Sequence, residues 1–166
     1  MQNAETVKYL NIMIEALEKK KALLEELLTK TMAQSECISD KDYDGVNWPQ
    51  FEIYMQEKDS AINKIEELDD GFEEVFKRVK PELDNNKDSY KDQILKLQEL
   101  ITALTDLGVK ISAREERNRQ DIERIMTAAK AGIGKARKNM KASSGYIASM
   151  YGSAVRPDSM KIDEKN

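Results

Sequence analysis

The sequence predicts an all-α protein: an elongated antiparallel three-helix bundle or coiled coil with a long third helix and a flexible C-terminal tail. Three observations carry that expectation. Apolar residues recur at alternating three- and four-residue steps over three long stretches, the a/d pattern of helices packed lengthwise. Breakers are scarce, with 7 Gly and 3 Pro in 166 residues, whereas a sheet would need turn residues every few positions. Charged residues reach 35% and aromatics only 6%, which suits a bundle that buries a narrow seam. The expected organisation is a bundle over residues 1–141 followed by a tail over 142–166.

The first stripe, over residues 4–36, carries Val7, Leu10, Ile14, Leu17, Leu24 and Leu28, with Lys21 standing where an apolar residue is due. Asn3 is placed to cap this helix, and Glu5 suits its positive end. Residues 38–48 break the period. Trp48-Pro49 then opens a second helix over 48–80, since proline is tolerated in a first turn whose amides lack partners. Its stripe is Phe51, Met55, Ile62, Ile65, Phe72, Phe76 and Val79, interrupted by Lys58 and Asp69. Pro81 and Asp84-Asn85-Asn86 are expected to end it. A third helix over 88–141 begins with Ser89 and Asp92 in capping-box spacing. Its stripe is Tyr90, Ile94, Leu97, Ile101, Leu104, Ile111, Ile122 and Ile125, with Gly108, Glu115 and Asn118 in phase.

Length leads to a geometric expectation. Two helices of roughly 33 residues span about 50 Å each, while the third reaches roughly 80 Å. With short turns the third helix runs out of partners near residue 121. The overhang carries Ile122, Ile125, Met126, Ala128, Ala129, Ile133 and Met140, and an apolar stripe without a partner in its own chain marks an interaction surface. The alternatives are a helix that folds back at Gly132 and Gly134, or a dimer sealed there.

Composition excludes much chemistry. The chain has no His and one Cys, Cys37, so it has no imidazole proton shuttle, intramolecular disulfide or thiolate–imidazole metal cluster. No stretch approaches membrane-spanning length, and a lone thiol suits a reducing compartment, so cytoplasm is expected. The net charge of −4 is uneven: residues 110–166 carry 13 Lys/Arg against 7 Asp/Glu, and residues 1–109 carry 14 against 24. Either these are solvated helix faces, or the C-terminal part is offered to an acidic partner.

Asp40-Lys41-Asp42-Tyr43-Asp44-Gly45 matches the start of a calcium-binding EF-hand loop. The closing bidentate Glu is missing, because the twelfth position is Phe51 and Pro49 stands at the tenth. Three Asp and a Gly also suit a turn entering a helix. Gly132-Ile133-Gly134-Lys135 lacks the first Gly and the Ser/Thr of a phosphate loop. Glu115-Glu116 and Asp69-Asp70 are sequence neighbours that diverge on a helix and form no shared-proton dyad. Lys135, Arg137, Lys138 and Lys141 complement a helix C-terminus rather than forming a nucleic-acid face. A non-enzymatic binding protein is expected, without metal or cofactor.

The order of features is a long first helix, then an acidic linker entering Trp48-Pro49-Gln50-Phe51-Glu52, then Glu57-Lys58-x5-Lys64-Ile65-x2-Leu68. A very long third helix follows, and then a tail with Tyr146-x3-Met150-Tyr151-Gly152 and Ser159-x3-Asp163-x-Lys165. Over nearly the whole chain this resembles the FlgN-type flagellar export chaperones. The resemblance implies a cytoplasmic chaperone of flagellar type III secretion. Such a chaperone holds hook–filament junction (hook-associated) proteins unpolymerised and delivers them to the cytosolic domain of the export gate. It also implies client binding through about residues 122–151. The candidate partner-binding residues are therefore Ile122, Ile125, Met126, Ala129 and Ile133 on the helix, with Met140, Tyr146, Ile147, Met150 and Tyr151 beyond. Two other classes stay open. A generic coiled-coil structural or adaptor protein would form a homo-oligomer through the overhang, and a helical calcium-responsive module would change helicity with calcium.

Overall fold

The structure, a computed structural model, describes residues 2–139, with side chains as far as Gly134. Met140, Tyr146, Ile147, Met150 and Tyr151, and the tail expected over 142–166, lie outside the described residues. Three long helices are present: α1 (Ala4–Ile38), α2 (Trp48–Asn85) and α3 (Lys91–Asn139). Short 3-10 turns at Tyr43–Gly45 and Lys87–Tyr90 precede α2 and α3, and among the described residues every regular element is helical. At 49 residues α3 is the longest, about 73 Å at 1.5 Å per residue. It runs through Gly132 and Gly134 without a break.

Helix ends follow local chemistry. Asn3 Oδ1 accepts from the Glu5 amide at 2.9 Å and the Thr6 amide at 3.4 Å, so the expected cap is in place. Asn47 Oδ1 accepts from the Gln50 amide at 3.2 Å, which starts α2 with Pro49 in its first turn. Pro81 does not end α2, contrary to the sequence expectation: the helix continues to Asn85. Proline removes one amide hydrogen bond. The loosened turn is held by buried Val79 and Leu83 and by the Asn86 amide, which donates to the Glu82 carbonyl at 3.0 Å.

The described chain divides into two compact units. The first comprises Met1–Ala33 and Tyr54–Glu115, a three-helix bundle. Within it α1 and α3 run in the same direction and α2 runs against both. Gln2 Nε2 donates to the Ser89 carbonyl at 2.7 Å at one end, and Thr31 Oγ1 donates to Glu115 at 3.1 Å at the other. Arg78 meets Tyr9, Lys20 meets Asp69 at 2.8 Å, and Lys30 meets Glu57, so α2 descends as α1 ascends. Tyr90 is fully buried and ties the lower end together. Its hydroxyl accepts from the Asn3 amide at 2.8 Å and donates to Glu82 at 3.1 Å.

The core of this unit is Leu10, Met13 and Leu17 against Val79, Leu83 and Tyr90, with Leu97, Leu100 and Leu104 from α3. The heptad reading misses Met13 and Leu100, and it places Met55, Ile62, Phe76 and Ile101 inside although all four are exposed. Spacing locates the apolar side of each helix. Only the angle at which neighbouring helices approach decides which of two adjacent rows is covered. The stripe's polar interruptions have partners: Lys58, itself buried, pairs with Glu115, and Lys20 reaches Asp69.

Candidate partner-binding region

The candidate residues on α3 fall in the second compact unit, formed by Gln34–Ile53 and by α3 from Glu116 onward. Its connector is built from the end of α1. Asp40, just past Ile38, has φ 55°. That left-handed conformation ends helices and normally favours Gly. Asp40→Gly is therefore expected to raise stability by about 0.5–1 kcal/mol. A higher urea midpoint at unchanged slope would register it. Asp42 caps the next 3-10 turn, its carboxylate accepting from the Gly45 amide at 2.9 Å. A Cβ on Gly45 would lie 3.0 Å from that carboxylate oxygen, so glycine suits the position sterically.

The connector then lays an aromatic cluster against α3. Tyr43 and Trp48 rings stand 5.5 Å apart, Trp48 and Phe51 meet edge-on at 5.8 Å, and the indole N–H donates to the Tyr43 carbonyl at 3.0 Å. Such ring pairs contribute about 0.5–1.5 kcal/mol each beyond area burial. Val46 and Phe51 flank the Asn47 cap at the positions of a hydrophobic staple, and both belong to the same buried cluster as Ile38 and Ile125. Met126 packs beside Tyr43 and Trp48 with Ile122, Ala129 and Ile133.

This overturns the expectation that α3 lacks partners in its own chain beyond residue 121. Ile125 is 0% exposed and Met126 3%, while Ile122, Ala129 and Ile133 are half-buried. The expectation weighed only helix against helix and treated residues 38–48 as a spacer. The signal that could have found the clasp was the staple pair around Asn47, with Tyr43 and Trp48 beside it.

Polar contacts fix the same unit. Arg124 donates to the Lys41 carbonyl at 3.2 Å and the Ile38 carbonyl at 3.5 Å, placing a cation at the negative end of α1. Gln34 Nε2 donates to the Phe51 carbonyl at 3.3 Å, and Ser35 Oγ donates to buried Asn118. On the outer surface Arg119 sits between Glu116 and Glu123. Its guanidinium holds the Glu116 carboxyl below the usual range. Burial pushes the Cys37 thiol up, which makes it a weaker nucleophile.

Asp40, Lys41, Asp42, Gly45 and Arg124 line a depression beside the connector. Its side chains are two carboxylates, an ammonium and a guanidinium. Among the described residues no group of three or more His, Cys, Asp or Glu is gathered to hold a metal ion. Titration with millimolar calcium is expected to give no saturable heat. A dissociation constant below about 100 μM would overturn that reading of the 40–45 loop. No helix of the described residues is long and apolar enough to cross a membrane.

These features define a helical protein in which an aromatic connector clasps the far part of a long C-terminal helix. The family model described as FlgN protein matches residues 6–153, and the chain belongs to the FlgN family, a family of flagellar export chaperones. Comparison with curated proteins and with solved structures found no match.

Proposed function

We propose that this protein is a cytoplasmic, non-enzymatic chaperone of flagellar type III secretion. It binds hook-associated proteins, prevents their premature polymerisation and delivers them to the cytosolic domain of the export gate. The observation that carries the reading is the family match, which runs through the candidate region to residue 153. Clients engage residues 122–151. In this reading Ile125 and Met126 hold the segment to the connector. Client contact falls to the accessible parts of Ile122, Ala129 and Ile133 and to Met140, Tyr146, Ile147, Met150 and Tyr151. An amphipathic segment of this kind pairs with client helices and masks the surfaces used in polymerisation.

The test is to recover the tagged full chain from cells that are building flagella and identify the co-purifying proteins by mass spectrometry. A hook-associated protein is expected in stoichiometric amount, and adding the purified chain is expected to slow that protein's polymerisation. Recovery of a homo-oligomer alone, with no flagellar protein, would instead favour a structural coiled-coil role.

A further inference from the structure

The charge of α3 changes abruptly at Arg124. From there to Pro157 the sequence holds seven Lys or Arg and no Asp or Glu. Elsewhere no run without an acid exceeds nine residues. The part of α3 just before it mixes both signs, with Glu115, Glu116 and Glu123 among Arg114, Arg117 and Arg119. One of the seven, Arg124, is used within the fold on the Lys41 and Ile38 carbonyls. Complementing the negative end of α3 accounts for only part of the rest, since that effect fades beyond the last turn. Lys130 lies about two and a half turns before Asn139, and the acid-free run continues well past the helix.

The described part of the run places cation positions beside accessible apolar ones. Lys130 is exposed, and Ala129 and Ile133 next to it are half-buried. Ile133 stands three residues after Lys130 and four before Arg137, so in the continuous helix it falls next to both positions. It belongs to the apolar row that the connector covers only in part. Met140 to Pro157 lie outside the described residues. Their sequence adds Lys141 and Arg156 to Met140, Tyr146, Ile147, Met150 and Tyr151.

From this charge boundary we infer that residues 124–157 receive an amphipathic helix of the client whose apolar stripe is flanked by Asp or Glu. The inference deepens the chaperone reading and rests on it for the identity of the partner. Accessible apolar edges supply attraction, and the cations select acidic flanks. The absence of acids removes the repulsion that such a helix meets along the remainder of the chain. An anionic lipid surface would offer the same charge. The run, however, contains no Leu, Phe or Trp, the residues that anchor helices in a membrane interface. Its larger apolar residues are Ile, Met, Tyr and Val, and Met and Tyr suit contact with a protein.

The probes are two fluorescent peptides of about 20 residues with the same Leu heptads, one flanked by Glu and one by Gln, titrated into the full chain. The Glu-flanked peptide is expected to bind at 1:1 and about tenfold or more tighter than the Gln-flanked one. Lys130→Glu with Arg137→Glu and Lys141→Glu should erase that preference, and Gln at the same three positions should reduce it. Lys8→Glu with Lys77→Glu and Lys91→Glu changes net charge equally on exposed positions of the first unit and should leave the preference intact. Equal loss in both triple variants would overturn the inference, reducing it to overall charge. Two further outcomes would overturn it by naming another occupant. One is wild-type chain sedimenting with phosphatidylglycerol vesicles, but not with phosphatidylcholine ones, while showing no peptide preference. The other is a wild-type dimer that the 130, 137 and 141 variant makes monomeric, which assigns the run to a second copy. Capture of a hook-associated protein equally by wild type and that variant would keep the chaperone reading and overturn this one. Selective binding of the Glu-flanked peptide with no flagellar protein recovered from cells would instead overturn the chaperone reading and leave a site for acidic helices.

Discussion

Replacing Ile125 by Ala is expected to lower the unfolding free energy of its unit by about 2–5 kcal/mol, the usual range for emptying a fully buried aliphatic site. Ile125 has no exposure and packs with Ile38, Val46 and Phe51, so its removal leaves a void that the connector must collapse to fill. Connector and α3 are both affected, and amide exchange should accelerate over residues 37–51 and 118–133 together. Val109→Ala removes an aliphatic side chain from the same helix at 64% exposure and should change stability by no more than about 0.5 kcal/mol. If Ile125→Ala proves as mild as Val109→Ala, the clasp does not exist in solution. Comparing the urea midpoints of the two variants decides it.

Ending the chain after Asn139 is expected to weaken client capture at least about 100-fold while leaving the helical circular dichroism of residues 4–139 in place. The cut removes Met140, Tyr146, Ile147, Met150 and Tyr151. Anchors of this size contribute roughly 1.5–3 kcal/mol each before ordering costs. Loss of two or more therefore exceeds a hundredfold in affinity. A cut after residue 121 is a different experiment. It also deletes Ile125 and Met126, strips cover from Ile38 and Phe51, and should unfold the second unit. Titration of the 139-residue chain against a hook-associated protein found by co-purification separates the cases. Full binding by that chain would move the contact onto α3 itself.

The helices were legible because their signals are local. Apolar residues at three- and four-residue steps, the Asn3 cap and the Trp48-Pro49 start each act within one or two turns, and all appear where expected. Pro81 misled because the buried residues that rescue its turn, Val79 and Leu83, find their neighbours on other helices. The Asp40–Gly45 loop read correctly as a turn entering a helix for the same local reason, since its Asp42–Gly45 bond spans three residues.

Of the candidate region, the sequence located the apolar residues of α3 but not their surroundings. By itself it determined an all-helical chain with three long amphipathic helices, because hydrogen bonding and periodicity along one helix need no knowledge of its neighbours. Only tertiary structure decided that Met13 and Leu100 are inside while Ile62 and Ile101 are outside, and that Lys58 pairs with Glu115. It also decided that Ile125 and Met126 lie beneath Tyr43, Trp48 and Phe51. Burial is a property of contacts between residues as far apart as 51 and 125, and a spacing rule read along one helix carries no information about what stands opposite.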